Sequence, residues 1–276
     1  MQPTEMTYSI EVDWIDDAVV VLTFSDPGRA NQLCWAAIDD LGERLRDCRE
    51  SGARVVVLAS GLAGHWLEHA WLQDLSAGLE GLAPTGTGEG WFTAPQELCH
   101  EGVISIAAIS GDCSGGGAEL GWACDIRIAE ANARFCQPEV NMGLTTGIGG
   151  CSRLSRLAGR TTATEMVLTG RPMSARRLYE LGAISRVVET GEALPASLEL
   201  ARDLAGKSPE AIAGLKRILA TNDQATLAAE LRHEQEVFQS VVVSENARDG
   251  IRRVQAAYDS GASTAEVNRY QSCSES

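Results

Sequence analysis

Three consecutive glycines, Gly115-Gly116-Gly117, stand between an apolar run, Val103 to Ile109, and a helix-compatible stretch that begins Ala118-Glu119-Leu120. A strand, a side-chain-free turn and a helix in that order leave backbone amides pointing outward at a helix N-terminus, where partial positive charge gathers. Glycine fits such a turn because it admits positive φ and lets another atom approach the backbone closely. Two uses remain open on these residues alone: a tight packing turn, or a cradle for an oxyanion. A nucleotide-phosphate use is not supported, because no GxGxxG occurs here and Gly206-Lys207-Ser208 lacks the upstream glycine of a phosphate loop.

The chain around this turn predicts an α/β fold. Ala18 to Phe24 and Arg54 to Ala59 are continuous β-rich runs, and the intervening Ile38, Leu41, Leu45 and Cys48 recur at helical spacing. Strand, helix, strand implies a crossover unit whose strands are buried on both faces. A third short run, Asp125 to Ala129, repeats the pattern, and Ile184 to Val188 reads as the last strand. Residues 77–94, rich in Gly, Thr and Pro and without a period, read as a mobile loop. From residue 195 onward only helices are expected, among them one capped by Ser208 with Pro209 in its first turn. The expected division is therefore residues 1–194 as core and 195–276 as a C-terminal helical region.

Charge and cysteine usage narrow the partners. A formal net charge of -15 leaves no basic face for nucleic acid or an anionic membrane. No apolar run approaches the about 18 residues of a membrane span, and no secretory signal is evident, so the chain reads as cytoplasmic. The eight cysteines form no CxxC pair and no metal-like spacing, and are expected mostly as buried thiols. His65 and His69 lie four apart, but without an HExxH-type motif no metal site is expected.

Taken singly, neither Glu119 nor Glu139 is diagnostic: a carboxylate near a helix start is common because it favours the dipole. Taken together, residues 103–159 resemble the signature region of the crotonase, or enoyl-CoA hydratase/isomerase, superfamily. The segments ISIAAISG, GGGAEL, CDIRIA, ARFCQPE and GIGGCSRLSRLAG occur in the family's order, and Asp26-Pro27 followed by Arg29-Ala30-Asn31 matches its segment after the first strand. The similarity extends over about residues 8–255.

The resemblance implies a crotonase-like spiral of β-β-α turns with a C-terminal helical trimerisation region. It assigns Glu119 and Glu139 as the catalytic pair and the amides of Gly116 and Ala70 as an oxyanion hole. Ala70 falls in Trp66-Leu67-Glu68-His69-Ala70-Trp71-Leu72, where Glu68, His69 and Trp71 replace the family's usual Ala, Gly and Asp. Arg29, Glu68, Trp71 and Leu72 are the implied substrate contacts. The implied activity is reversible addition of water across the 2,3 double bond of an acyl-CoA thioester, a lyase reaction of the fatty-acid type. Coenzyme A arrives with the substrate, so no separate cofactor is implied, and a homotrimer or a hexamer of two stacked trimers is the implied assembly. Isomerase, decarboxylase or thioester hydrolase chemistry, or a catalytically silent acyl-CoA-binding protein, are the alternatives.

Overall fold

The computed structural model describes residues 8–207, 209–221, 224–262 and 264–267; the expected cap Ser208 and Cys273 lie outside them. A six-stranded sheet has the neighbour order Ser9–Trp14, Val19–Ser25, Val55–Ser60, Ile104–Ile109, Ile126–Glu130, Arg186–Val188. The first pair is antiparallel and the rest are parallel. A smaller four-stranded sheet is built from Gly64–His65, Gly111–Ser114, Arg134–Cys136 and Met173–Ser174.

The two sheets record a repeated turn. Each of three consecutive passes lays one strand in the large sheet, then a short one in the small sheet, and then turns into helix: Val55–Ser60 with Gly64–His65, Ile104–Ile109 with Gly111–Ser114, Ile126–Glu130 with Arg134–Cys136. This is the expected spiral of β-β-α turns. Continuous Val/Ile/Leu runs suit it because both faces of the parallel strands are covered. Val20, Leu22, Val56 and Leu58 face the main core, whereas Val19, Val21, Val55 and Val57 face a second core that includes Ala193 and Ala201.

Those two alanines lie on the helix Ala193–Ala205, which packs across the large sheet. Position 195, where the sequence turns all-helical, therefore falls inside a helix that covers the core. Beyond it, Lys216 on the helix Pro209–Thr221 donates to Asp125 Oδ2 and to the Val103 carbonyl, both at 2.6 Å. The helix Glu245–Asp259 returns to the front of the spiral, where Ala247, Ile251 and Val254 share a third apolar cluster with Leu72, Met142 and Leu144.

Two features depart from the sequence reading. The strand Ser9–Trp14 was not expected, since acids alternate with its apolar residues; it is the antiparallel edge of the large sheet, with those positions exposed. Residues 77–94 are not one loop but the end of the helix Leu72–Glu80, a connection, and the start of the helix Gly90–Leu98. The connection is tied down by remote carboxylates: Asp74 accepts from the Thr85 amide and hydroxyl at 2.7 Å each, and Asp39 accepts from the amides of Thr87, Gly88 and Gly90 at 2.7, 3.2 and 2.8 Å. Of the cysteines, Cys34, Cys48, Cys113, Cys124 and Cys136 are buried thiols, while Cys99 and Cys151 are exposed. Among the described residues no helix is long and apolar enough to cross a membrane.

Packing around the glycine turn is close enough to test by adding one methyl. A Cβ on Gly117 would lie 2.1 Å from the Leu67 carbonyl oxygen, a backbone atom with little room to retreat. Gly117→Ala is expected to destabilise the fold by about 3 kcal/mol in a urea titration. In contrast Gly214→Ala, on a helix with nothing within 4 Å of the new methyl, is expected to be neutral or to stabilise by up to about 1 kcal/mol. Equal midpoints for the two variants would refute this reading of the turn.

Candidate active site

Each glycine of the triple has its own reason. Gly115 adopts φ +49°, and a Cβ there would meet the His69 Cβ at 2.7 Å. A Cβ on Gly116 would lie 2.5 Å from the Trp91 ring, and one on Gly117 would strike Leu67. The turn is thus pressed against two other segments while opening the helix Gly115–Ala123. The amide of Gly116, in the first turn, has no acceptor within the helix.

Ala70, the expected second donor, sits on the segment that departs most from the family pattern. Residues 68–71 run parallel to 31–33: the Glu68 amide donates to the Asn31 carbonyl at 3.0 Å, Leu33 to His69 at 3.0 Å, and Trp71 to Leu33 at 2.9 Å. This pairing uses the groups of His69 and Trp71, so the Ala70 N–H is turned to the other side. Asn31 anchors the arrangement. Fully buried and at φ +60°, it accepts from the Asp26 amide at 2.7 Å and donates to the Trp66 carbonyl at 2.7 Å and to Ser60 Oγ at 2.8 Å. A short polar side chain is what such a left-handed position tolerates.

Ala70, Gly116, Glu119 and Glu139 line one cavity of about 490 Å³. Glu119, on the first turns of the glycine helix, is almost fully buried; its Oε1 accepts from the amides of Ile148 and Gly150 at 3.1 and 2.6 Å. The GIGG segment thus serves as a backbone clasp for this carboxylate. Glu139 opens the 3-10 turn Glu139–Met142 and is also buried. The orientation of the buried Gln137 amide that satisfies its neighbours donates to Glu139 Oε1 at 3.1 Å and accepts from Trp122 Nε1 at 3.1 Å. Both carboxylates are held by directed hydrogen bonds, and both residues line the cavity.

The remaining predicted contacts divide. Leu72 is buried and lines the cavity. Arg29 and Trp71 are not part of its wall: Arg29 bonds Asp26 Oδ2 at 2.8 Å and stacks 4.5 Å from the centre of the Trp71 ring, outside the strand that carries Ala70. Glu68, expected at the substrate, is fully buried and its carboxylate turns inward to Ser114 and His65. His65 and His69 do not converge either. His69 donates from Nδ1 to its neighbour's carbonyl, Ala70 O, at 2.9 Å, which leaves Nε2 to accept from the Tyr258 hydroxyl at 2.7 Å. Burial lowers the pKa of His69 and keeps that ring neutral. Among the described residues no group of three or more His, Cys, Asp or Glu is placed to hold a metal ion.

Several wall residues, Trp91 apart, escaped the sequence reading. Trp35, Trp91, Met142 and Leu144 make the cavity apolar, and Phe238 and Val242 close it from the C-terminal helices. Trp91, although on a segment read as loop, is expected from the sequence to flank the pocket, and it does line the cavity. Phe238 and Val242 lie about a hundred residues from the motifs, and nothing in a helical period says which remote surface a helix will cover.

The profile of the enoyl-CoA hydratase/isomerase family matches residues 15–257. The chain belongs to that family. It is 32% identical over 238 residues to carnitinyl-CoA dehydratase of Shigella flexneri, covering 84% of this chain and 90% of that one. It is 36% identical over 155 residues to the short-chain-enoyl-CoA hydratase of Clostridium acetobutylicum, covering 56% and 59% respectively. The solved structure of a carnitinyl-CoA dehydratase from Mycobacterium avium 104 superposes with a TM-score of 0.75 at 27% identity, covering 88% of this chain and 95% of that one.

The pair of His65 and Glu68 beneath the site gives a pH signature. The hydrogen bond that His65 donates to the Glu68 carboxylate raises the His65 pKa above its ordinary 6.5, with Asp112 acting in the same sense and burial opposing. A base whose folded-state pKa is raised contributes stability that is fully present below its unfolded value, about 6.5, and is lost as pH rises through the folded value. His65→Asn is therefore expected to lower the urea midpoint most at pH about 5.5, with the difference from the parent shrinking by pH about 9. A difference that grows with pH would contradict the assignment.

Proposed function

We propose that this enzyme adds water reversibly across the 2,3 double bond of an acyl-CoA thioester. Family membership and the named hydratase and dehydratase relatives support a hydro-lyase. The observation that carries the specific reading is that two carboxylates, Glu119 and Glu139, and two backbone donors, Ala70 and Gly116, wall the same apolar cavity.

In this reading the thioester oxygen accepts from the Ala70 and Gly116 amides. As a nucleophile attacks Cβ, negative charge moves onto that oxygen, and fixed donors in a water-poor site stabilise it without having to reorganise. Glu119 and Glu139 hold one water between them. One carboxylate takes its proton as the oxygen bonds to Cβ, and the other, protonated, delivers a proton to Cα. Dehydration runs the same steps backward. Trp35, Trp91, Met142 and Phe238 surround the acyl group, while Arg29 and Trp71, outside the cavity, meet the coenzyme A portion. No separate cofactor takes part. Assembly as a trimer, or as two stacked trimers, follows the family reading.

Replacing either glutamate by glutamine keeps the shape and removes the proton transfer. Glu119→Gln and Glu139→Gln are each expected to retain acyl-CoA affinity and lose about 10² to 10⁴ in turnover on a 2-enoyl-CoA, and the double variant to lose far less than the product. Near-parental turnover in either single variant would remove that residue from the mechanism.

The Ala70 donor has its own test. Ala70→Gly retains most activity, whereas Ala70→Pro, which has no amide hydrogen, is expected to lose about 10² to 10³ in turnover. A Pro variant as active as the parent would place the second donor elsewhere.

A further inference from the structure

Glu68 is fully buried, yet its carboxylate is outside the cavity. Burying such a group is costly unless it is hydrogen-bonded and paired, and both of its oxygens have partners. Ser114 Oγ, also buried, donates to Glu68 Oε2 at 2.5 Å, and His65 Nδ1 lies 2.9 Å from Oε1. The same Ser114 oxygen accepts from the His69 amide at 3.3 Å. Backbone bonds run alongside: Trp66 N to Asp112 O at 2.8 Å and Ser114 N to Leu67 O at 3.3 Å.

The positions of these residues in the chain give the cluster its meaning. Glu68 precedes Ala70 by two residues and Ser114 precedes Gly116 by two, so the carboxylate and the hydroxyl join the roots of the two donor segments. The backbone ladder between these segments runs from Gly64 beside Gly111 as far as the bond from Ser114 N to Leu67 O, just short of the two donors. Past that bond, the Glu68 to Ser114 to His69 chain of hydrogen bonds ties the two segments together through side chains.

We infer that Glu68 is a positioning residue that clamps Ser114 and so fixes the spacing of the Ala70 and Gly116 amides at the thioester oxygen. The inference rests on the oxyanion-hole reading above. Donors of this kind act at 2.7–3.1 Å from the developing charge, and a displacement of about 1 Å costs on the order of 10² in rate. A loosened clamp should therefore weaken the transition state while leaving substrate affinity largely intact.

The test reads carbonyl polarisation as well as rate. Dimethylaminocinnamoyl-CoA, a chromophoric thioester, shifts its absorbance to the red when its carbonyl is polarised. The parent protein is expected to produce that shift. Glu68→Ala should bind the probe within about threefold of the parent, lose most of the shift, and lose about 10 to 10² in kcat on a 2-enoyl-CoA with little change in KM. Glu68→Gln, which still accepts from the Ser114 hydroxyl, should recover most of both. Ser114→Ala should reproduce the loss, and the double alanine variant should be no worse than the worse single one. If Glu68→Ala does not fold, Ser114→Ala decides alone, its loss of the shift supporting the clamp and its retention overturning it. A full shift and parental kcat in Glu68→Ala, or losses that multiply in the double variant, would overturn the clamp. A parent that binds the probe without any shift would overturn the oxyanion hole and the clamp with it. A parent that shifts the probe but adds no water would leave the clamp standing and sink only the hydratase reading.

Discussion

The proposed oxyanion hole requires two backbone N–H groups from distant parts of the chain to point at one place, and much of the front of this molecule suits that constraint. A side chain can reorient, but an amide direction is set by the backbone on either side of it. The Ala70 amide is turned outward because its neighbours are paired with Leu33, and the Gly116 amide because it begins a helix. Neither donor is free to move alone. The strands Gly64–His65 and Gly111–Ser114 bring the two segments side by side, and the absence of side chains at 115–117 lets them touch.

This dependence explains what the sequence revealed. The glycine turn, the QPE segment and the GIGG segment were legible because each is a place where one residue type alone meets a backbone demand. Gly117 faces a carbonyl, Gln137 bridges Glu139 and Trp122, and the amides around Gly149 hold Glu119. The parallel strands were legible for the related reason that burial on both faces demands unbroken apolar runs. Glu68 was misplaced at the substrate. Its residue type says that it needs partners, but not whether they lie in solvent, substrate or core.

The segment around Trp91 shows the other limit. Its helix begins only after a connection whose hydrogen bonds come from Asp39 and Asp74, carboxylates on two other helices. Without a local period to announce it, the stretch reads as loop, although it delivers a tryptophan onto Gly116. The edge strand Ser9–Trp14 was missed for a related reason. Its apolar positions, such as Ile10 and Val12, stand among acids, too short an alternation to announce a strand. The C-terminal helices were visible as helices, yet their contribution of Phe238, Val242 and the Tyr258 hydroxyl to the front of the spiral depends on long-range packing.

The central claim is that two carboxylates and two amides cooperate to add the elements of water to a thioester, and isotopes in the solvent test it most directly. A short 2-enoyl-CoA incubated with the enzyme in heavy-oxygen water, and separately in deuterated water, would be followed by mass spectrometry. The account predicts a hydroxyacyl-CoA carrying one solvent oxygen at Cβ and one solvent hydrogen at Cα. An acyl-CoA of unchanged mass, or release of free coenzyme A, would contradict it.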